Sequence, residues 1–286
     1  MSDSPTVAKW ELALRLGNRR RQLGLDQKDV ARLIGTSLAY WSFVEKERKT
    51  ISAQKLELAS AALEFDDAER ERLAHLRALS VKPAWWSEYH DLFQSDDRLW
   101  LIGMEDGAVA TRIFEGRMVP SILQTEDCYQ ARVMANPTVS PARVSHLVAV
   151  HKRRRDRLSG EGRLGVDAVI SEATLASQAV GVDAQRAQLD HLVQLVDSED
   201  HDVTIRVAPF SASTGGAGEL SNITVLDFAG SDLPSVAYHE ALVLSQRVTD
   251  PATVDLMDLA HRIGVENSLG HEDSVAMIKH YYSKLR

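Results

Sequence analysis

A short stretch near the N-terminus carries amide, hydroxyl, basic and apolar side chains at close spacing. Its polar groups can hydrogen-bond to phosphate oxygens and to base edges, and its apolar groups can contact thymine methyl groups. Side chains of these types are able to contact a nucleic-acid duplex. The candidate DNA-contacting residues are Gln27, Lys28, Ser37, Leu38, Ala39, Tyr40, Ser42, Phe43, Lys46, Arg48 and Lys49.

Candidates for catalysis are fewer. Glu172, His239 and Glu240 each fall at the end of a predicted strand, where α/β folds often place their sites. No nucleophile–base motif accompanies them, and the glycine-rich loop at Gly215–Gly218 lacks the Lys-Ser/Thr that follows in a phosphate-binding loop. The single cysteine, Cys128, cannot form an internal disulfide. We therefore predict that the chain is not an enzyme and holds no metal or cofactor.

The segment Gln27–Lys46 has the pattern of two short helices joined by a tight turn. Two helices can cross closely only where a small residue lies at the crossing, which Ala31 provides. The turn requires a left-handed backbone, which favours glycine and is provided by Gly35. The predicted inward-facing positions are Val30, Trp41 and Val44.

The first 80 residues are predicted to form five helices. Asp26 can cap the helix that starts at Gln27, and Thr36 or Ser37 can cap the next one. A boundary is expected at Lys82-Pro83, because the residue before proline disfavours helical backbone. The prediction is a helix-turn-helix domain at 1–80 and a larger domain at 81–286.

The second domain alternates helix and strand patterns. The predicted strands are Thr111–Phe114, Leu164–Ile170, Asp202–Ala208, Asn222–Phe228 and Ser235–Tyr238. The predicted helices are Glu126–Ala135, Pro141–Leu158, Asp183–Val196, Pro251–Glu266 and Glu272–Leu285, and a flexible loop is expected at Ser213–Gly218. The fold class is thus an all-α N-terminal domain followed by an α+β (mixed α/β) domain.

Charge separates the two parts as well. The chain of 286 residues has a net charge of −8, but residues 1–56 hold eleven basic and six acidic side chains, a local charge of +5. The remainder therefore carries −13. Because a duplex feels the field within about one Debye length, the basic module decides binding.

Two basic runs have alternative interpretations. In one interpretation, the run Arg19–Arg21 contacts phosphate. In the other, Arg20 is paired internally and its neighbours are solvated. Lys152–Arg155 cannot place four consecutive charges on one helix face, so a solvated or internally paired surface is favoured over a second nucleic-acid site. His151 beside this run is expected at the surface.

The N-terminal motifs resemble those of lambda-repressor-type (Xre-like) helix-turn-helix domains. The resemblance covers about Leu12–Leu63 and rests on Leu23-Gly24-Leu25-Asp26-Gln27, Val30-Ala31, Ile34-Gly35-Thr36-Ser37 and Trp41-Ser42-Phe43-Val44-Glu45. It implies five helices, the third of which, Ser37–Lys46, enters the major groove. It also implies that Gln27 contacts a phosphate and that Arg20 pairs with Glu45.

Residues about 84–285 resemble a second family, the DUF5753 domain of actinobacterial Scr1-type, antitoxin-like regulators. The cues include Val119-Pro120-Ser121-Ile122-Leu123-Gln124-Thr125, Ile170-Ser171-Glu172-Ala173-Thr174-Leu175 and Tyr238-His239-Glu240. Members are often encoded beside a small DUF397 protein, so the resemblance implies such a protein as a partner.

The sequence departs from the Xre-like pattern at the predicted DNA-contacting helix. Leu38, Ala39 and Phe43 stand where related domains carry polar side chains, so thymine methyl contacts or DNA shape would supply specificity. Glu47 replaces the glycine that usually follows the helix.

Two hypotheses follow. The first is a cytoplasmic, homodimeric transcriptional regulator that binds double-stranded DNA and senses a signal or partner through its second domain; no secretory signal or transmembrane segment is visible. The alternative is an antitoxin-like interaction protein that sequesters a small DUF397-type partner, with weak or no sequence-specific DNA binding.

Overall fold

The computed structural model describes residues 3–93, 96–212, 222–230, 232–240 and 245–285. The chain forms two compact units, Met1–Ser87 and Glu88–Arg286. The boundary predicted after residue 80 coincides with the end of a helix, and the following residues up to Ser87 belong to the first unit.

The described residues of the first unit form five α-helices, in agreement with the predicted all-α class. They are α1 (Pro5–Gln22), α2 (Gln27–Leu33), α3 (Leu38–Glu45), α4 (Ala53–Ala62) and α5 (Asp67–Ser80). Their apolar faces meet in one core, which includes Leu12, Leu16, Val30, Ile34, Trp41, Ile51, Leu63 and Leu73. Burial of these faces, rather than helix propensity alone, stabilises helices this short.

Short polar residues set the starts of these helices. At Ser4, Ser37, Ser52 and Asp66 the side-chain oxygen accepts a backbone N–H of the first turn that has no partner within the helix. At the N-cap residue Asp26 the backbone N–H donates to Oδ2 of Asp29 at 3.0 Å. The predicted caps at Asp26 and Ser37 are thus confirmed.

The second unit is a mixed α/β domain built on a six-stranded sheet with the order β3-β2-β1-β4-β5-β6. The strands are β1 (Ala110–Glu115), β2 (Gly165–Ser171), β3 (Val203–Ala208), β4 (Asn222–Asp227), β5 (Val236–Glu240) and β6 (Ser245–Val248). β1, β2 and β3 are parallel, and β4, β5 and β6 continue the sheet with antiparallel pairing.

Helices connect and cover these strands. They are α6 (Asp96–Gly107), α7 (Glu126–Ala135), α8 (Val144–Arg155), α9 (Glu172–Ala176), α10 (Val182–Asp197), α11 (Pro251–Glu266) and α12 (His271–Lys284). The pair α7 and α8 leads from β1 to β2, and the pair α9 and α10 leads from β2 to β3, as parallel pairing requires. The sequence patterns missed α6 and β6.

One cluster of apolar side chains of the sheet lies against α11. Phe114 on β1 and Val225 on β4 are fully buried in a cluster with Val254 of the helix. Gly264 lets α11 approach closely, because a Cβ at this position would lie 2.5 Å from the Phe114 ring. A side chain at position 264 would therefore displace the helix from the sheet.

His151 on α8 is fully buried rather than exposed, and its ring stacks on the Tyr129 ring with centroids 4.0 Å apart. The surface prediction for His151 was wrong, because the ring packs between α8 and α7 instead. Burial lowers the pKa of His151 to about 3, with the neighbouring Arg154 acting in the same direction, so the imidazole stays neutral.

Arg154 in the same basic run is paired internally. Its Nε and Nη2 donate to the two oxygens of Glu105 at 2.8 and 2.9 Å, and both side chains are nearly buried. This favours the internally paired interpretation of the run. The loop predicted at Ser213–Gly218 lies outside the described residues.

Within the described part of the chain, every helix is too short or too polar to span a bilayer.

Candidate nucleic-acid interface

The turn between α2 and α3 adopts the predicted tight geometry. Gly35 has φ +63°, in the left-handed region, and the N–H of Thr36 donates to the carbonyl of Ala31 at 2.8 Å. Lys55 from α4 secures the same turn, because its Nζ donates to the carbonyls of Ile34 and Gly35 at 2.7 and 3.0 Å. These contacts satisfy carbonyls that the end of α2 leaves unpaired.

One face of α3 is anchored in the core. Trp41 and Val44 are buried, at 0% and 3% exposure, against Val30 and Ala31 of α2. The predicted inward positions are therefore confirmed, and Ala31 is buried at 2% exposure. Because these side chains fix the rotation of α3, its opposite face is held toward solvent.

Glu45 joins three elements at the end of α3. Arg20 on α1 donates to both of its oxygens, from Nε at 2.6 Å and from Nη2 at 3.0 Å. Trp41 donates from Nε1 at 2.6 Å, and Gln27 donates from its amide nitrogen at 2.7 Å. We name Arg20, Gln27, Trp41 and Glu45 the Glu45 network. It confirms the Arg20–Glu45 pairing that the resemblance implied.

The charge of Glu45 is stabilised by these partners. Burial alone would raise the pKa of this carboxyl, but the hydrogen bonds from Arg20 and Gln27, the charge of Arg20 and the bond from Trp41 together lower it. Glu45 is consequently a carboxylate at neutral pH, and the position of α3 against α1 depends on that charge.

The predicted DNA-contacting residues fall on the solvent side of this scaffold. Leu38 is 50% exposed and Phe43 is 44% exposed. Exposed residues of the set are Lys28, Ser37, Leu38, Ala39, Phe43, Lys46, Arg48 and Lys49, and partly buried ones are Gln27, Tyr40 and Ser42. The structure thus brings the set onto neighbouring elements; its contact with DNA stays a prediction.

Two members of the set also have roles within the unit. The amide nitrogen of Gln27 is engaged by Glu45, which leaves its oxygen and the N-terminus of α2 for an external partner. The Tyr40 hydroxyl accepts from the N–H of Ser52 at 3.3 Å, and Lys49 Nζ lies 4.9 Å from the Tyr40 ring centroid. Both contacts join distant positions in the chain, so sequence patterns did not reveal them.

The basic run of α1 lies mostly within the unit. Arg19 donates to the carbonyls of Leu63 and Glu64 at 2.9 and 3.0 Å and so satisfies the end of α4. With Arg20 held by Glu45, the structure favours internal pairing of this run over phosphate contact. The expectation that the neighbours of Arg20 are solvated was wrong for Arg19, because its side chain caps α4.

The three catalytic candidates do not form a common site. Glu172 accepts from the Tyr281 hydroxyl and from the N–H of Phe210, both at 2.8 Å. Glu240 pairs with Arg98, and His239 Nδ1 lies 3.2 Å from a backbone carbonyl. Each is thus held by structural contacts among the described residues.

Glu47 adopts a strained backbone just after α3. Its φ of +59° lies in the left-handed region, as does the φ of +54° at Glu64 after α4. A non-glycine residue in this conformation costs about 1 kcal/mol relative to glycine. We expect Glu47→Gly and Glu64→Gly each to stabilise the first unit by about that amount in denaturant titrations.

The two variants should differ in their effect on DNA. Glu47 lies between Lys46 and Arg48 of the candidate interface, whereas Glu64 lies beyond α4. Glu47→Gly should raise affinity several-fold in polarisation titrations, because it removes a negative charge beside the phosphates, and Glu64→Gly should not. Equal affinity of the two variants would show that Glu47 lies outside the interface.

The fold and this surface define a helix-turn-helix unit joined to a mixed α/β unit. The family model described as a helix-turn-helix domain matches residues 11–73. The model described as a domain of unknown function (DUF5753) matches residues 100–280. The second match covers more than half of the chain, which therefore belongs to the DUF5753 family. Comparisons with curated proteins and with solved structures found no match.

Proposed function

We propose that the chain is a DNA-binding transcriptional regulator in which α3 enters the major groove. The observation that carries the proposal is the division of α3 into two faces. Trp41 and Val44 lock one face in the core, while Leu38, Ala39 and Phe43 project to solvent on the other. A helix held in this way presents its outer side chains to a duplex without further ordering.

The contacts divide by chemistry. Three exposed cations come just after α3 in the chain and would contact phosphates; they are Lys46, Arg48 and Lys49. Lys28 near the start of α2 would contact another, together with Gln27, since helix N-termini favour anions. Leu38, Ala39 and Phe43 would contact thymine methyl groups, and DNA shape would supply the remaining specificity.

The regulator is proposed to act as a cytoplasmic homodimer with no catalytic reaction. One helix-turn-helix unit buries little duplex surface, and two units on half-sites about one helical turn apart give useful affinity. The second unit would join the two copies or receive a signal.

A second candidate function rests on the same apolar side chains. Leu33 on α2 is 59% exposed, and Leu38 and Phe43 on α3 are exposed as well. Exposed apolar groups also suit a protein interface. In this alternative the chain sequesters a small DUF397-type protein and binds DNA weakly or without sequence preference.

Selection from a library of random duplexes distinguishes the two functions. Full-length protein should enrich a palindrome with two half-sites about 10 bp apart, centre to centre, and mass measurement should give two chains per duplex. Failure to enrich any sequence, together with co-purification of a small partner that covers Leu38 and Phe43 in hydrogen exchange, would contradict the regulator proposal and support the alternative.

A further inference from the structure

A cavity of about 610 Å³ lies within the second unit, outside the DNA interface. It opens where β1 and β5 end and β4 begins, with Asn222 paired to Glu240 across the two antiparallel strands. At this point the parallel strands β3-β2-β1 meet the antiparallel strands β4-β5-β6. The strand order also reverses beside β1, because β2 and β3 lie on one side of it and β4 to β6 on the other. The carboxyl end of a strand at such a point is a favoured location for ligands, and the volume suits a small molecule.

The charged residues of the lining are unevenly matched. Five arginines and three glutamates border the cavity, so cations exceed carboxylates by two. Two of the arginines are neutralised within the protein: Arg154 by Glu105, and Arg98 by Glu240. The remaining arginines are Arg117, Arg132 and Arg143.

Arg132 is the most enclosed of these three cations. Its guanidinium lies 5.1 Å from the Tyr129 ring centroid, and its Nη1 lies 3.5 Å from the Met118 sulfur. Its Nε is buried without an acceptor. Among the described residues no carboxylate accepts a hydrogen bond from it, and its charge acts on Glu115 through space. A partly buried guanidinium held by an aromatic ring and a thioether has unused capacity for an anion. Arg117 and Arg143 are exposed and border the same cavity.

Glu115 at the end of β1 is the remaining carboxyl of the lining. It is 5% exposed, and the N–H of Arg117 donates to it at 3.2 Å. The Asn222 side-chain amide on β4 faces the same carboxyl, and with its nitrogen turned to that side it donates to both oxygens.

Burial raises the pKa of Glu115 to about 7. The backbone N–H groups of Arg117 and Met118 oppose this shift, as does the charge of Arg132 on α7, whereas Glu240 on β5 adds to it. Arg98 on α6 faces Glu240 rather than Glu115 in the contacts described. Glu115 therefore changes charge near neutral pH, and its protonation increases the positive excess of the cavity.

The rest of the lining is mixed. Polar side chains such as Ser121, Asn136 and His239 belong to it, and an aliphatic surface comes from Leu101, Ile113, Ile122, Val133 and Leu147. An inorganic anion would leave this surface uncovered, whereas an organic anion would cover it and reach the arginines at once.

We propose that this cavity binds a small organic anion, with Arg132 as the principal contact of its acidic group, Arg117 and Arg143 at the entrance, and the aliphatic side chains around its apolar body. Binding of this anion would be the signal that the second unit receives. Only that regulatory role rests on the proposed function. Binding itself is measured without DNA, so failure here is distinguishable from failure of DNA recognition.

The probe is 8-anilinonaphthalene-1-sulfonate, an apolar body with one sulfonate, compared with the uncharged N-phenyl-1-naphthylamine. Titration of the full chain should give one saturable fluorescence site for the sulfonate and at least tenfold weaker binding of the uncharged probe. Arg132→Gln should weaken sulfonate binding at least tenfold and leave the uncharged probe unchanged. Arg163→Gln, at an exposed arginine outside the lining, should match the parent.

Two further variants, Arg117→Gln/Arg143→Gln and Glu115→Gln, keep the test decisive if Arg132→Gln does not fold. The first alters only exposed residues and should weaken binding of the sulfonate probe several-fold. For the parent chain, affinity should rise as pH falls from 8 to 6, because protonation of Glu115 removes a negative charge from the cavity. If the bound anion raises the pKa of Glu115 by one unit, the affinity for the anion differs by about tenfold between the protonated and the ionised forms of Glu115.

Glu115→Gln should abolish that pH dependence. Absence of a saturable site, equal binding of the two probes, or sulfonate binding unchanged in the folded arginine variants would overturn the proposal. A pH dependence that persists in Glu115→Gln would overturn the assignment of Glu115 to the site.

Discussion

Replacing Glu45 with glutamine is expected to destabilise the first unit by about 3–5 kcal/mol, because it leaves Arg20 as a charge without its partner in a nearly buried position. The side chains of Arg20 and Glu45 are only 12% and 7% exposed, so water cannot compensate fully. A unit of this size has a stability of roughly 4–13 kcal/mol, so the loss is a large share of the total.

Hydrogen exchange read by mass spectrometry measures this effect in the first unit separately from the second. Peptides of α1 and α3 should exchange much faster in Glu45→Gln, whereas Glu57→Gln, at an exposed carboxylate on α4, should leave them unchanged. The double variant Arg20→Met/Glu45→Gln should recover part of the loss, since no buried charge remains. Equal protection in Glu45→Gln and Glu57→Gln would refute the central role of the Glu45 network.

The same carboxylate predicts acid sensitivity. Because the folded pKa of Glu45 is lowered from 4.5, its contribution is complete above pH 4.5 and is lost as the pH falls through the folded value. The protection of α1 and α3 in the parent should therefore decline in that acid range, and Glu45→Gln should lack this component of the pH dependence.

The helical unit was predictable from the sequence because its signals are local. Asp26 and Ser37 cap helices through contacts three residues away, and Gly35 marks a left-handed turn that few other residues adopt. The 3.6-residue period placed Trp41 in the core. The strained backbone at Glu47, where related domains carry glycine, was not predicted from the sequence.

The contacts that sequence patterns missed join distant positions. Lys55 reaches the end of α2, and Gln27 shares the carboxylate of Glu45 with Arg20. No local period encodes such meetings, since they depend on how helices cross. The organic-anion cavity was likewise invisible, because β1, α7 and β5 contribute Glu115, Arg132 and Glu240 from widely separated segments.

Strand β6 was missed for a local reason. It is a short edge strand with the sequence Ser-Gln-Arg-Val, so it shows little of the apolar alternation that marks a strand. Strand β2 was found because it is buried on both faces and is nearly all apolar. His151 was misplaced because a histidine beside four basic residues looks solvated until α7 packs against it.

Removal of the three cations after α3 is expected to weaken DNA binding by roughly 10²-fold at 0.15 M salt. Each phosphate contact contributes about 0.9 to the slope of log K against log salt, so the triple variant Lys46→Ala/Arg48→Ala/Lys49→Ala should have a slope smaller by about 2.7. All three side chains are exposed, so the fold should be retained.

The control for that variant removes three exposed cations elsewhere, in Lys82→Ala/Arg163→Ala/Lys279→Ala. Both triple variants lower the net charge of the chain equally. Polarisation titrations from 50 to 300 mM salt should give a parent-like slope for the control. A similar reduction in both variants would mean that total charge, rather than the surface around α3, governs binding.

Photocrosslinking tests the position of α3 most directly. A benzophenone amino acid at position 43, on the outer face of α3, should crosslink to duplex DNA, and the same probe at position 71, exposed on α5, should not. The crosslink at 43 should disappear in the triple variant that lacks the cations after α3. Efficient crosslinking from position 71 with none from position 43 would contradict the account, because DNA would then lie on a different face of the helical unit.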